Sequence, residues 1–160
     1  MSELEVVTAT QVLVDLMKPH IRKVDNDECI SMSDRPACDA IQEGYEGSEL
    51  CWVLLVDFEP ACCFGVVDAG KIDGKNVGIA WMIATDKIKE DKQKFMELSH
   101  FYVHEKMLAP FDVITNFVSA NHTKAVRWLT NLGFTLEAPE IRGFKGEMFH
   151  RFYLKNRGVK

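Results

Sequence analysis

A chain of 160 residues, 47% of them hydrophobic, is long enough for one sizeable core and too short for two ordinary domains without a visible linker. One domain over residues 1–160 is therefore expected, its last few residues a loose tail. A net charge of -5 and a pI near 5.5, with no dominant basic cluster, argue against nucleic acid or anionic membranes as general partners.

No basic leader precedes an apolar segment, and no apolar run approaches the ~20 residues that span a bilayer, so a soluble, unsecreted protein is expected. The five cysteines, Cys29, Cys38, Cys51, Cys62 and Cys63, are odd in number and lack paired metal-ligand spacing. They predict free thiols in a reducing compartment, with Cys62 and Cys63 on opposite faces of a strand.

In chain order, residues 3–8 predict a short strand. Val12, Leu13, Leu16 and Met17 then line one face of a helix that Pro19 and His20 bring to a close. Residues 23–35, with D-N-D-E and S-M-S-D, read as a polar loop; a second helix starts near Asp34 or Pro36 and runs to about Tyr45, before Gly47. From Leu50 a meander of three strands is expected: C-W-V-L-L-V-D-F, a turn at Glu59–Pro60, A-C-C-F-G-V-V-D-A, the turn signal G-K-I-D-G-K-N, and V-G-I-A-W-M-I-A-T. Phe95, Met96, Ser99, Tyr102, Val103 and Met107 build one face of a helix that Pro110 ends.

Residues 113–120 form another strand. A last helix begins with Asn121 as its N-cap, repeats Ala125, Trp128, Leu129 and Leu132 at helical spacing, and ends at Gly133. Residues 135–137 and 147–154 supply a final strand pair around Pro139, Gly143 and Gly146. The order β-α-α-β-β-β-α-β-α-β-β predicts an α+β fold: one mixed, mostly antiparallel sheet of about seven strands with helices on both faces.

That order, closed by an Asn-initiated helix and a Gly-Phe, resembles the GCN5-related N-acetyltransferase (GNAT) superfamily over nearly the whole chain. The phrases P-H-I-R-K-V-D-N-D-E, G-I-A-W-M-I-A-T-D-K-I and N-F-V-S-A-N-H-T-K-A-V-R-W-L-T-N-L-G-F resemble a phage-encoded branch, whose members are described as internal virion or head-assembly proteins of short-tailed phages. The resemblance implies that the strand at 77–85 splays from the strand at 113–120, leaving backbone groups that the pantetheine arm of acetyl-CoA can satisfy. It implies further that Trp81, Met82 and Ile83 line the slot, and that Asn121 and Ala125 reach the pantetheine from the last helix. Asn121 reads equally well as a cap and as a ligand contact.

Two departures accompany the resemblance. The superfamily cradles the cofactor's pyrophosphate in a glycine-rich loop at a helix N-terminus, whereas D-K-I-K-E-D-K-Q-K-F contains no glycine to let the backbone approach a phosphate. Lys89 and Lys92, with Lys87 and Lys94, stand there either as compensating charges or as a solvated face balanced by Asp86, Glu90 and Asp91. The tyrosine that many members place four residues before the Gly-Phe glycine, to protonate the departing thiolate, is Leu129 here, which has no proton to give.

Tyr102, Cys62 or a water would then protonate the thiolate, and Glu28, Asp57 or Glu59 would act as the base that frees the attacking amine. His100 and His104, four apart on a helix, lack a third ligand, so no metal is expected. The functional expectation is an acetyl-CoA-dependent N-acyltransferase-like protein of low or absent activity, acting on an amine in the host cytoplasm. The alternatives are a virion-associated assembly protein contacting phage or host proteins, and a binding module that kept the cleft without the chemistry.

Overall fold

The computed structural model describes residues 2–89 and 91–158; Met1, Glu90 and the expected tail at Val159 and Lys160 lie outside the described residues. The elements are β1 (Leu4–Thr8), α1 (Gln11–Met17), α2 (Lys23–Ser33), α3 (Ala37–Gly47), β2 (Ser48–Val56), β3 (Glu59–Ile72), β4 (Lys75–Ala84), α4 (Lys92–Phe101), β5 (Val113–Ser119), α5 (Thr123–Asn131), β6 (Thr135–Leu136), β7 (Glu140–Arg142) and β8 (Glu147–Lys155). Short 3-10 turns follow α1 and β4, and one π-helical turn, Tyr102–Met107, continues α4. Among the described residues no helix is long and apolar enough to cross a membrane.

The expected α+β class is realised as an eight-stranded sheet in the order β1-β2-β3-β4-β5-β8-β6, with β7 also paired to β8. All pairings are antiparallel except β4 with β5. Strand alternation sends successive side chains to opposite faces, and each face collects its own helices. Val53, Cys63 and Ile83 pack with Val14 and Met17 of α1 and Ile41 of α3. Cys62 and Leu54, one residue away, face Phe95 and Leu98 of α4, beside a cluster that joins Val103 and Met107 to Leu129 of α5 and Leu132 just after it. Each fully buried aliphatic side chain among these contributes roughly 1.5–3 kcal/mol.

Trp81 fixes α3 against the sheet: its indole N–H donates to Ser48 Oγ at 2.7 Å, and a Cβ at Gly44 would lie 2.7 Å from the indole ring. Only glycine lets α3 come this close. At the end of α5, Gly133 (φ 101°) takes the left-handed conformation. Its N–H donates to Thr130 O and that of Phe134 to Leu129 O, which closes the helix as its sequence predicts.

Four expectations are corrected. The polar stretch 23–33 is not a loop but the helix α2. It has no apolar stripe because its inward side carries Asp25, Glu28 and Ser31, which pair with backbone and side-chain polar groups. On α1 the buried positions are Val14 and Met17, while Val12 and Leu16 are exposed, because it is Val14 and Met17 that pack against Val53, Cys63 and Ile83 of the sheet and Ile41 of α3. The first hairpin turns at Asp57 and Phe58, both in the left-handed region, where Asp57 Oδ1 accepts from Glu3 N–H; Glu59 and Pro60 lie in β3 at a register shift that accommodates the proline. Asn121 does not cap α5: the cap position is His122, and Asn121 is exposed.

Candidate functional site

The parallel strands β4 and β5 pair at only three positions, Val77 with Val113, Gly78 with Ile114 and Ile79 with Thr115. Beyond these, β4 remains paired with β3 as far as Ala84, and β5 with β8 as far as Ser119, so each follows its outer neighbour and the two separate. Asn116 sits at the apex of this fork. Its Nδ2 donates to Ala80 O at 2.6 Å, and its Oδ1 accepts from Phe117 N–H at 2.8 Å, joining the two strands where their own ladder stops.

The open end of the fork is bridged by α2. Asp25 Oδ2 accepts from Ala84 N–H on β4 at 2.9 Å, Arg22 N–H donates to Ala84 O at 2.9 Å, and Glu28 Oε2 accepts from Ser119 N–H on β5 at 2.9 Å. The Arg22 guanidinium grips both Asp25 oxygens at 2.9 Å. Because backbone groups of alternate strand residues point the same way, Met82, midway between Ala80 and Ala84, also turns its N–H and C=O into the fork.

A cavity of ≈ 290 Å³ fills the space between the strands, lined among others by Glu28, Trp81, Met82, Ile83, Asn116, His122, Ala125 and Trp128. His122 Nδ1 lies 3.7 Å from Glu28 Oε2, and both His122 Nδ1 and Trp128 Nε1 are buried without a hydrogen-bond partner among the described residues. A buried donor or acceptor left unpaired is costly, so these two atoms are where a water or a polar ligand group would bind. Burial, reinforced by the charges of Asp25 and Glu28, pushes the Cys29 thiol on the same wall up to about 12, which makes it a poor nucleophile.

No protein-family model matches the chain, and no curated protein matches it. Solved structures do. A spermidine N-acetyltransferase from Vibrio cholerae, in complex with CoA and spermine, superposes with a TM-score of 0.66 at 12% identity, covering 96% of this chain and 95% of that one. An aminoglycoside N(6')-acetyltransferase from Legionella pneumophila gives 0.71 at 10% identity over 97% and 93%. The NatC complex bound to a Gag peptide and CoA gives 0.68 at 11% identity over 96% and 98%. The fold is that of the GNAT acetyltransferases.

Of the residues that the sequence marked, this GNAT fold gathers Glu28, Trp81, Met82, Ile83 and Ala125 around one cavity. The others lie elsewhere. Asp57 is at the first hairpin, holding Glu3 N–H. Tyr102 packs its ring 5.3 Å from Trp52 and 5.7 Å from Phe64 and lines a neighbouring apolar cavity. Lys89 is exposed and 3.7 Å from Asp86, and Lys92 is the exposed first residue of α4. Asn121 turns only its N–H inward, to Ser119 Oγ at 3.2 Å. Leu129, by contrast, lines the fork cavity with a hydrocarbon side chain.

Sequence reasoning missed Asn116, Asp25, His122 and Trp128 Nε1 as parts of the fork. The one available signal was Asn116, a polar interruption within the strand V-I-T-N-F-V-S. His100 and His104 do stack, with centroids 5.8 Å apart, but His104 Nε2 is 2.7 Å from Leu132 O, and no cluster of three or more His, Cys, Asp or Glu side chains suited to a metal occurs among the described residues.

Proposed function

We propose that the β4–β5 fork binds the pantetheine arm of an acyl-CoA and that the protein transfers the acyl group to a primary amine. The observation that carries this reading is the early end of the β4–β5 ladder, which leaves Met82's backbone groups facing a cavity rather than a strand. An amide-bearing arm satisfies such groups as an added strand does. The unpartnered Trp128 Nε1 and His122 Nδ1 fit the same occupant, since they offer hydrogen bonds to its polar atoms.

The thioester supplies an activated carbonyl carbon. In transfer, the amine nitrogen bonds to that carbon, the C–S bond breaks, and one proton passes in net terms from nitrogen to sulfur. We assign the amine's proton to Glu28, which lines the cavity with His122 Nδ1 3.7 Å from its carboxylate. Leu129 supports a water as the donor to the thiolate. Low turnover is part of the proposal: the β4–α4 connection has no glycine, and the Asp91 carboxylate already caps α4 by accepting from Lys94 N–H, which places negative charge where the pyrophosphate would sit.

Isothermal titration with acetyl-CoA, desulfo-CoA and ATP tests this reading. Saturable binding of the first two without ATP is expected, and no binding at millimolar acetyl-CoA would refute it. One observation favours a second reading, a protein without acyl transfer on the same fold, for which virion assembly is the role we propose. Asp25, Glu28 and Asn116 already satisfy much of the fork from within the chain, as suits a cleft kept for rigidity. In that case the protein co-purifies with particles and tolerates a bulky replacement of Met82.

A further inference from the structure

Beside the fork, between the sheet and the pair α4 and α5, lies a second cavity of ≈ 80 Å³. We propose that it receives the hydrocarbon tail of an acyl group longer than acetyl, so that the preferred donor is a short-chain acyl-CoA of about four carbons. This inference rests on the acyl-CoA reading of the fork.

Three features carry it. The first is chemistry. The walls come from Leu54, Cys62 and Phe64 of the sheet and from Leu98 and Val103 of α4 and its continuation, and the one serine among them, Ser99, already donates its hydroxyl to Phe95 O at 2.7 Å. Such a lining favours hydrocarbon over water, because water against it finds few hydrogen-bond partners.

The second is continuity. Ala80, Met82, Trp128 and Leu129 line both this cavity and the fork, so the two share a wall at the strand where the thioester would lie. That shared wall carries the unpartnered Trp128 Nε1. An acyl group has one polar atom at its head and none in its tail, and Trp128 offers its Nε1 donor beside a mainly hydrocarbon cavity.

The third is size. An apolar cavity of about 150 Å³ accepts benzene, so roughly half that volume suits a chain of three to five carbons and not a long fatty acyl group.

The test is titration of the full chain with CoA, acetyl-CoA, butyryl-CoA and decanoyl-CoA. Each buried methylene contributes ~0.8 kcal/mol, or about 4-fold in affinity, so butyryl-CoA is expected to bind about 15-fold tighter than acetyl-CoA. Decanoyl-CoA gains nothing over butyryl-CoA, because its tail outruns the cavity. Cys62→Met and, independently, Leu98→Phe fill the space from opposite walls and bring butyryl-CoA down to the acetyl-CoA value. Equal binding of acetyl-CoA and butyryl-CoA overturns the tail site and leaves the acyl-CoA reading standing, whereas no binding of any CoA ester overturns both. A butyryl advantage that persists in both variants overturns this location for the tail.

Discussion

Replacing Asp25 by alanine removes the bond between α2 and the end of β4. Asp25 and Arg22 side chains are only 8% and 15% exposed, and the carboxylate serves three donors: the two guanidinium nitrogens and Ala84 N–H. Breaking a buried pair from one side costs about 3–5 kcal/mol, because the remaining charge is left uncompensated. Arg22 retains some access to water, so the low end, ~3 kcal/mol, applies. In a domain of this size each kcal/mol shifts Tm by about 2–4 °C, which predicts a fall of roughly 6–12 °C in thermal unfolding followed by circular dichroism. Asp25→Asn keeps an oxygen that can accept from Ala84 N–H and loses only the charge, so about half the effect is expected. An alanine variant within about 1 °C of wild type would show that α2 does not brace the fork; an asparagine variant as damaged as the alanine one would show that charge alone matters there.

The other predictions concern the site and its surroundings. Glu28→Gln retains an oxygen to accept from Ser119 N–H, so stability should hold while acyl transfer to an amine falls by about 10²–10⁴-fold; an unaltered rate removes Glu28 as the base. Asn121→Ala is expected to change stability by no more than ~0.5 kcal/mol, since its side chain caps nothing, and a loss near 1 kcal/mol in urea titration would reinstate the cap. Stability should also decline in alkali. The folded-state value of Cys29 is raised by burial from 9.0 to about 12, and burial raises Cys62 as well, so their neutral thiols contribute stability that is intact below about pH 9 and lost as pH climbs towards 12. Urea midpoints measured from pH 8 to 11 test this; Cys29→Ser should flatten the decline, and an identical slope in that variant would contradict the assignment.

Much of the fold was legible in the sequence because its signals are local. Alternation of apolar residues marks the meander, the Asp-Gly turn at 73–74 joins β3 to β4, and Gly133 followed by Phe134 ends α5 through hydrogen bonds between near neighbours in the chain. The expected slot residues Trp81, Met82 and Ile83 fall on β4 for the same reason, a short periodic stretch between two recognisable breaks. The eventual helix α2 escaped detection because helices are read from an apolar stripe, and its inward face is polar.

Only the tertiary structure decided what the polar residues do. Glu28 meets Ser119 across 91 residues of sequence, Asp25 meets Ala84 across 59, and Asn116 meets Ala80 across 36. No local preference encodes such pairs. They exist because two parallel strands, each held by a different outer neighbour, part after three residue pairs and leave backbone groups that something must satisfy. Hydrophobic periodicity thus determined the elements and their faces, while the separation of β4 from β5 decided that the carboxylates of α2 and an asparagine of β5 would share one cavity.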